Sequence, residues 1–167
     1  MGNREITLAL IEVMQDQLET YKTLFNLGEQ KTDVLVNGDL KKLNEITEIE
    51  QGLVLKLGKL EDKRYELANQ IAKLHNKDVS EAKEDFFKSI LDKEEAERFT
   101  SIYNDLKEVL LKIQDQNRRN EKLIRNALDY INFSIGLLTE TRTSKANYSA
   151  DGISNKEEAF HFIDKQA

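Results

Sequence analysis

The side chains able to do covalent or metal chemistry are few and poorly spaced for it. The 167-residue chain has no cysteine and only two histidines, His75 and His161. Without thiols there is no disulfide framework, no thiolate zinc site and no cysteine nucleophile. Glu158 and His161 have the Glu-x-x-His spacing that presents a carboxylate and an imidazole on one helix face in carboxylate-bridged metal bundles. Such a site needs the motif on two helices plus further carboxylates, and a single copy occurs. There is no Gly-x-Ser-x-Gly elbow and no glycine-rich phosphate loop ending in lysine. The expectation is a protein with no catalytic residue, no metal and no other cofactor. Asn132-Phe133-Ser134 and Asn147-Tyr148-Ser149 match the glycosylation acceptor pattern. With no charged-then-apolar leader at the start of the chain, both read as chance matches.

The remaining candidates are groups that bind. Arg118, Arg119, Lys122 and Arg125 cluster, but they interleave with Asn117, Asn120 and Glu121. A solvated helix flank accounts for that pattern better than a polyanion site. The net charge of -6 also argues against nucleic acid as a partner. Asn117 and Asn120, three residues apart, fall on one side of a helix, where they can bond to a neighbouring helix or to the backbone of a bound segment.

Positioning these groups requires long helices. The chain has no proline and seven glycines, and Ala, Glu, Lys, Leu and Arg make up nearly half of it. So few turn formers disfavour sandwiches, barrels and doubly wound folds. A hydrophobic fraction of 39% against 34% charged residues supports a narrow apolar seam between amphipathic helices. No apolar run approaches a membrane span, so a soluble cytoplasmic protein without membrane insertion is expected.

Apolar spacings of three and four predict a first helix over 3–37, from Ile6 and Leu10 to Leu35 and Val36. Gly38 suits a left-handed helix end and Asp39 can cap the next helix, so the pair reads as a hairpin turn. A second helix follows from 40 to about 76, with Leu43, Ile46, Leu57, Leu67 and Ile71 on its face. Antiparallel pairing would bring Gly52 near Phe25. Ser80 is a cap candidate for a short linking helix carrying Phe86, Phe87, Ile90 and Leu91. A third long helix runs from 92 to about 140, and the Ser/Thr/Asn/Lys-rich 141–167 reads as a mobile tail ending in the apolar Phe160-His161-Phe162-Ile163. The expected fold is all-α: an elongated antiparallel bundle of about three long helices with a short linking helix and a C-terminal tail. Residues 1–140 form one domain and 141–167 a flexible extension.

Two apolar stripes lie side by side within 117–138. Ile124, Leu128, Ile131, Ile135 and Leu138 form one; Leu123, Ala127, Tyr130, Ser134 and Leu137 form the other, with Phe133 at its margin. Together they span about half the helix circumference at roughly 100° per residue. A central helix buried on both sides would need both stripes. The alternative is that the second stripe is a face for a partner's amphipathic helix.

The order of these features resembles the FlgN family of flagellar export chaperones. The resemblance rests on Tyr21 to Leu27 followed by Leu35 and Gly38-Asp39-Leu40, and on a second helix with Ile46, Glu50, Leu57, Leu60, Glu61 and Arg64. It continues with Asn117-x-x-Asn120-x-x-Leu123-Ile124, Leu128-x-Tyr130-Ile131, Tyr148-x-x-x-Gly152 and the closing Ile163-Asp164-Lys165-Gln166-Ala167. It implies an ATP-independent cytosolic chaperone whose late helix holds the C-terminal helical segments of the hook-filament junction proteins FlgK and FlgL. Leu123, Ala127, Tyr130, Phe133 and Leu137, with Asn117 and Asn120, would form the cargo face. Tyr148 would dock on the export-gate protein FlhA. A monomer or weak homodimer follows from that reading. The competing expectation is a homodimeric coiled-coil scaffold in which the second stripe is buried by self-association.

Overall fold

The structure, a computed structural model, describes residues 2–146, and these are helical nearly throughout. Helix α1 spans Asn3–Asn37 and α2 spans Leu40–Leu74. Gly38 sits between them at φ 70°, the left-handed conformation that costs glycine nothing, and its N–H donates to Val34 O. Asp39 then accepts from the Lys42 N–H at 3.1 Å and starts α2.

After α2 the chain makes a single 3-10 turn, Val79–Glu81, then α3, Glu84–Ile90, and α4, Lys93–Ala146. Ser80 caps neither element: Asp78 caps the 3-10 turn, its Oδ1 accepting from both the backbone N–H and the hydroxyl of Ser80, and Lys83 stands at the N-cap of α3 without a side-chain bond. A carboxylate two residues before Ser80 accepts from both of its donors and leaves Ser80 inside the turn. Asp92 caps α4 by accepting from the Glu95 N–H at 2.9 Å. The helix then runs past residue 140 to Ala146. Thr141 to Ala146 contain neither glycine nor proline, so nothing in them forces a stop at the change of composition.

By its contacts the chain divides into two units, Met1–Arg125 and Asn126–Ala167. In the first, cross-helix bonds fix the directions. Gln17 Nε2 donates to Glu61 at 2.9 Å and Lys31 Nζ to Glu50 at 2.7 Å, so α1 and α2 run antiparallel. Arg4 Nε donates to Glu95 at 3.0 Å, and Gln116 Nε2 donates to Phe25 O at 3.1 Å. Residue numbers on α4 rise with those on α1, so these two helices are parallel and α2 opposes both.

The core concentrates at one end of this unit. Ile6, Leu10, Ile11, Met14 and Leu18 of α1 meet Leu67, Ala68 and Ile71 of α2 and Phe99, Ile102, Val109 and Ile113 of α4. Phe87 of α3 closes it, in a chain of ring contacts from Phe86 through Phe87 and Phe99 to Tyr103. His75, the C-cap of α2, sets its ring edge-on against Phe86 at 5.5 Å. The expected approach of Gly52 to Phe25 does not occur: a Cβ on Gly52 would meet nothing within 4 Å. The close helix approach is made by Gly28. Val54 and Leu74, although they continue the apolar spacing of α2, are exposed.

Candidate functional site

Toward the C-terminal half of α1 the contact with α4 changes from aliphatic to polar. Gln116 is 1% exposed, and its Nε2 donates to Phe25 O and to Glu29 Oε1, both at 3.1 Å. One turn on, Asn120 is 3% exposed. Its Nδ2 donates to Gly28 O at 3.2 Å, and its Oδ1 accepts from the Thr32 hydroxyl at 2.7 Å. Two buried amides are thus satisfied by α1 backbone and side chains, as buried polar groups must be. Beside them Leu24, Val54, Ile113 and Ile124 wall an open groove of about 620 Å³, with the Lys31–Glu50 ion pair and Asn117 on its lining.

The second unit begins as helix, and the large apolar side chains of its described residues are exposed. Leu128, Ile131 and Ile135 of one stripe are more than half exposed, and so are Tyr130 at 71% and Phe133 at 64%. Leu137 and Leu138 are also exposed. Asp129 is the one formally charged residue between Asn126 and Thr139. A continuous apolar face with so little charge is the feature that most often marks a partner surface.

The residues singled out in the sequence therefore fall into separate places. Asn117 is exposed and lines the groove, whereas Asn120 is taken up by Gly28 and Thr32 inside the first unit and does not face a partner. Leu123 is half-buried at the end of that unit. Ala127, Tyr130, Phe133 and Leu137 are exposed on the second. Tyr148 lies outside the described residues, as do His161 and the Phe160 to Ile163 stretch. Arg118 and Lys122 are exposed, Arg125 donates to Glu121 at 2.6 Å, and Arg119 lies 3.9 Å from Glu29.

Sequence reasoning missed two things. The stripe Leu128, Ile131, Ile135 is as exposed as its neighbour, whereas both sequence readings have it buried. Gly28 and Gln116 were not singled out at all. A glycine inside a strong helical pattern is a readable sign of close approach, and Gln116 falls on the apolar face four residues before Asn120.

Electrostatic perturbation is confined to the bundle surface. Arg64 Nε donates to Glu61 at 2.9 Å, and this bond holds the Glu61 carboxyl below its ordinary value; partial burial opposes the shift and the Gln17 bond adds to it. Burial raises the Tyr21 hydroxyl, with the Glu61 charge adding to that. Among the described residues no cluster of histidine and carboxylate ligands could hold a metal, and no helix is long and apolar enough to cross a membrane. What the arrangement can do is bind: a rigid, internally bonded bundle in one unit and an apolar helical face in the other.

Comparisons with known proteins agree with that picture. The chain is 29% identical over 142 residues to the uncharacterized protein YvyG of Bacillus subtilis (strain 168), covering 84% of this chain and 85% of that protein. No solved structure matches it. The family model of FlgN protein matches residues 5–156. The chain therefore belongs to the FlgN family, whose members are flagellar export chaperones.

Proposed function

We propose that this chain is an ATP-independent cytoplasmic export chaperone for the hook-filament junction proteins FlgK and FlgL. It holds their C-terminal helical segments on the face formed by Ala127, Tyr130, Phe133 and Leu137, and so keeps them from associating before export. The observation that carries this reading is the exposure of Tyr130 and Phe133 on a stretch with a single formal charge. Burial of each large side chain contributes about 1.5–3 kcal/mol. A few such anchors offset the several kcal/mol lost on association and leave binding in the micromolar range or better. Asn120 has no part in this face. Tyr148 docks the loaded chaperone on the export-gate protein FlhA, an aromatic anchor with large contact area and few rotors to order.

The test is a titration of the C-terminal fragment of FlgK, and separately of FlgL, into the full chain by calorimetry. Tyr130→Asp and Phe133→Asp abolish binding while helicity by circular dichroism stays near that of the parent; binding that survives both variants refutes the assigned face. Tyr148→Ala leaves fragment affinity unchanged and weakens FlhA capture by the complex. The three-and-four spacing of the exposed Leu128, Ile131 and Ile135 favours a second reading, a homodimeric scaffold. Tight self-association in sedimentation, unchanged by either fragment, would establish that reading instead.

A further inference from the structure

We propose that the closed end of the α1–α2 hairpin is a second docking surface, fitted to an amphipathic helix of a partner protein whose apolar stripe is flanked by lysine or arginine. A groove of about 550 Å³ opens there, and its lining comes from the hairpin alone. The buried Leu27 of α1 and Ile46 of α2 form its floor, and the half-buried Val34 and the exposed Ile49 form its apolar walls. Leu27 and Ile46 stand apart from the main core, which gathers around Ile11 and Ile71 toward the other end of the hairpin. They are a small apolar layer with an open side, the shape into which an amphipathic helix lays its stripe.

Charge selects which helix. Asp33, Asp39 and Glu45 line the groove against one cation, Lys42, and Lys42 already lies 3.6 Å from Asp39. Asp33 on α1 and Glu45 on α2 are both exposed, and among the described residues neither has an ion-pair partner. One unneutralised carboxylate therefore stands on each helix of the hairpin beside the apolar floor. A helix with cations on both flanks of its stripe meets both carboxylates, whereas an acidic helix is repelled by both. From Leu27 to Asn37 the groove follows α1 for about 15 Å, enough for a helix of roughly ten residues. Exposed carboxylates add little affinity singly. The apolar floor supplies the attraction and the two charges set which partner is accepted. This surface lies within residues 27–49 and does not rest on the assignment of junction proteins to the apolar face of the second unit.

The probe is a synthetic amphipathic peptide about three turns long, with leucine at spacings of three and four and lysine elsewhere. Its counterpart carries glutamate in place of lysine. Titrated into the isotopically labelled full chain, the lysine peptide should shift the backbone amide signals of Val34, Ile46 and Ile49, and the glutamate peptide should leave them in place. Asp33→Lys combined with Glu45→Lys should weaken the lysine peptide about ten-fold, and the milder pair Asp33→Asn with Glu45→Gln about three-fold. Both pairs change exposed side chains, so helicity by circular dichroism should match the parent. Shifts centred on residues 128–135, equal binding of the two peptides, or an affinity unchanged in both paired variants overturns the proposal. So does self-association of the chain alone that the lysine pair abolishes in sedimentation, because a second copy would then be the occupant. No junction protein is present in these measurements, so failure of that partner assignment leaves their outcome intact.

Discussion

Gln116 of α4 fills the space that a side chain on Gly28 of α1 would need: a Cβ built there would lie 2.0 Å from Gln116 Oε1. The two helices meet at this point, where the Gln116 amide bonds to Phe25 O and Glu29. Glycine-to-alanine changes in this chain therefore differ in sign with position. Gly28→Ala gains about 1 kcal/mol of helix propensity. It must also displace a buried amide from its bonds, at a cost of about 1–3 kcal/mol. A net loss of up to about 2 kcal/mol is expected. Gly52→Ala, with open space around it, should stabilise by about 0.5–1 kcal/mol. Urea unfolding of both variants checks this, and equal stabilisation by the two would remove the packing role assigned to Gly28.

Asn120 gives a pH-dependent test of the same contact. In Asn120→Asp a carboxylate replaces the Nδ2 donor and faces Gly28 O while buried, a loss of about 3 kcal/mol or more when ionised. Burial raises the pKa of such a group. A raised folded pKa means that the penalty is absent below the ordinary carboxylate range and grows as pH rises through the raised value. The variant should approach the parent's stability near pH 4 and fall well below it at pH 7. Asn120→Ala should show a deficit that does not change over that range.

Two phenylalanines separate the core from the proposed partner face. Phe99 is buried among Phe87, Tyr103 and the aliphatic core, so Phe99→Ala should cost about 3–5 kcal/mol. Phe133 is exposed, and Phe133→Ala should shift stability by no more than about 0.5 kcal/mol. Thermal unfolding followed at 222 nm measures both. A large loss in the second variant would place Phe133 in a folding contact.

Glu61 links stability to acid. Its carboxyl is held below the ordinary value of 4.5, first by the Arg64 hydrogen bond and then by Gln17. A depressed folded pKa contributes stability that is present above the ordinary value and lost as pH falls through the lower one. The side chain is half exposed, so solvent screening keeps the effect below about 1 kcal/mol. Glu61→Gln should flatten the stability curve between about pH 5 and 3, falling below the parent by up to that amount at pH 7 and converging on it near pH 3.

Much of the fold was legible because helices announce themselves locally. The Gly38-Asp39 turn follows from one residue that tolerates a left-handed backbone and one that caps, and both roles are met. The α1 boundaries follow from the three-and-four spacing. The linker was less legible, since Asp78 and Ser80 can each cap and only the geometry of the 3-10 turn selects Asp78. The candidate site was legible as a surface and not as an assignment. Asn117 and Asn120 share a side of α4, yet one lines a groove and the other is buried against Gly28 and Thr32.

The amino-acid sequence by itself determined that this protein is helical, where its hairpin turns, and which residues share a helix face, because propensity, capping and periodicity are properties of neighbours along the chain. Only the tertiary structure decided what lies opposite each face. Ile6 and Leu128 stand in equally regular apolar stripes, but one is covered by α2 and α4 and the other meets solvent. Burial depends on a second surface at the right distance, and no pattern within one helix carries that information.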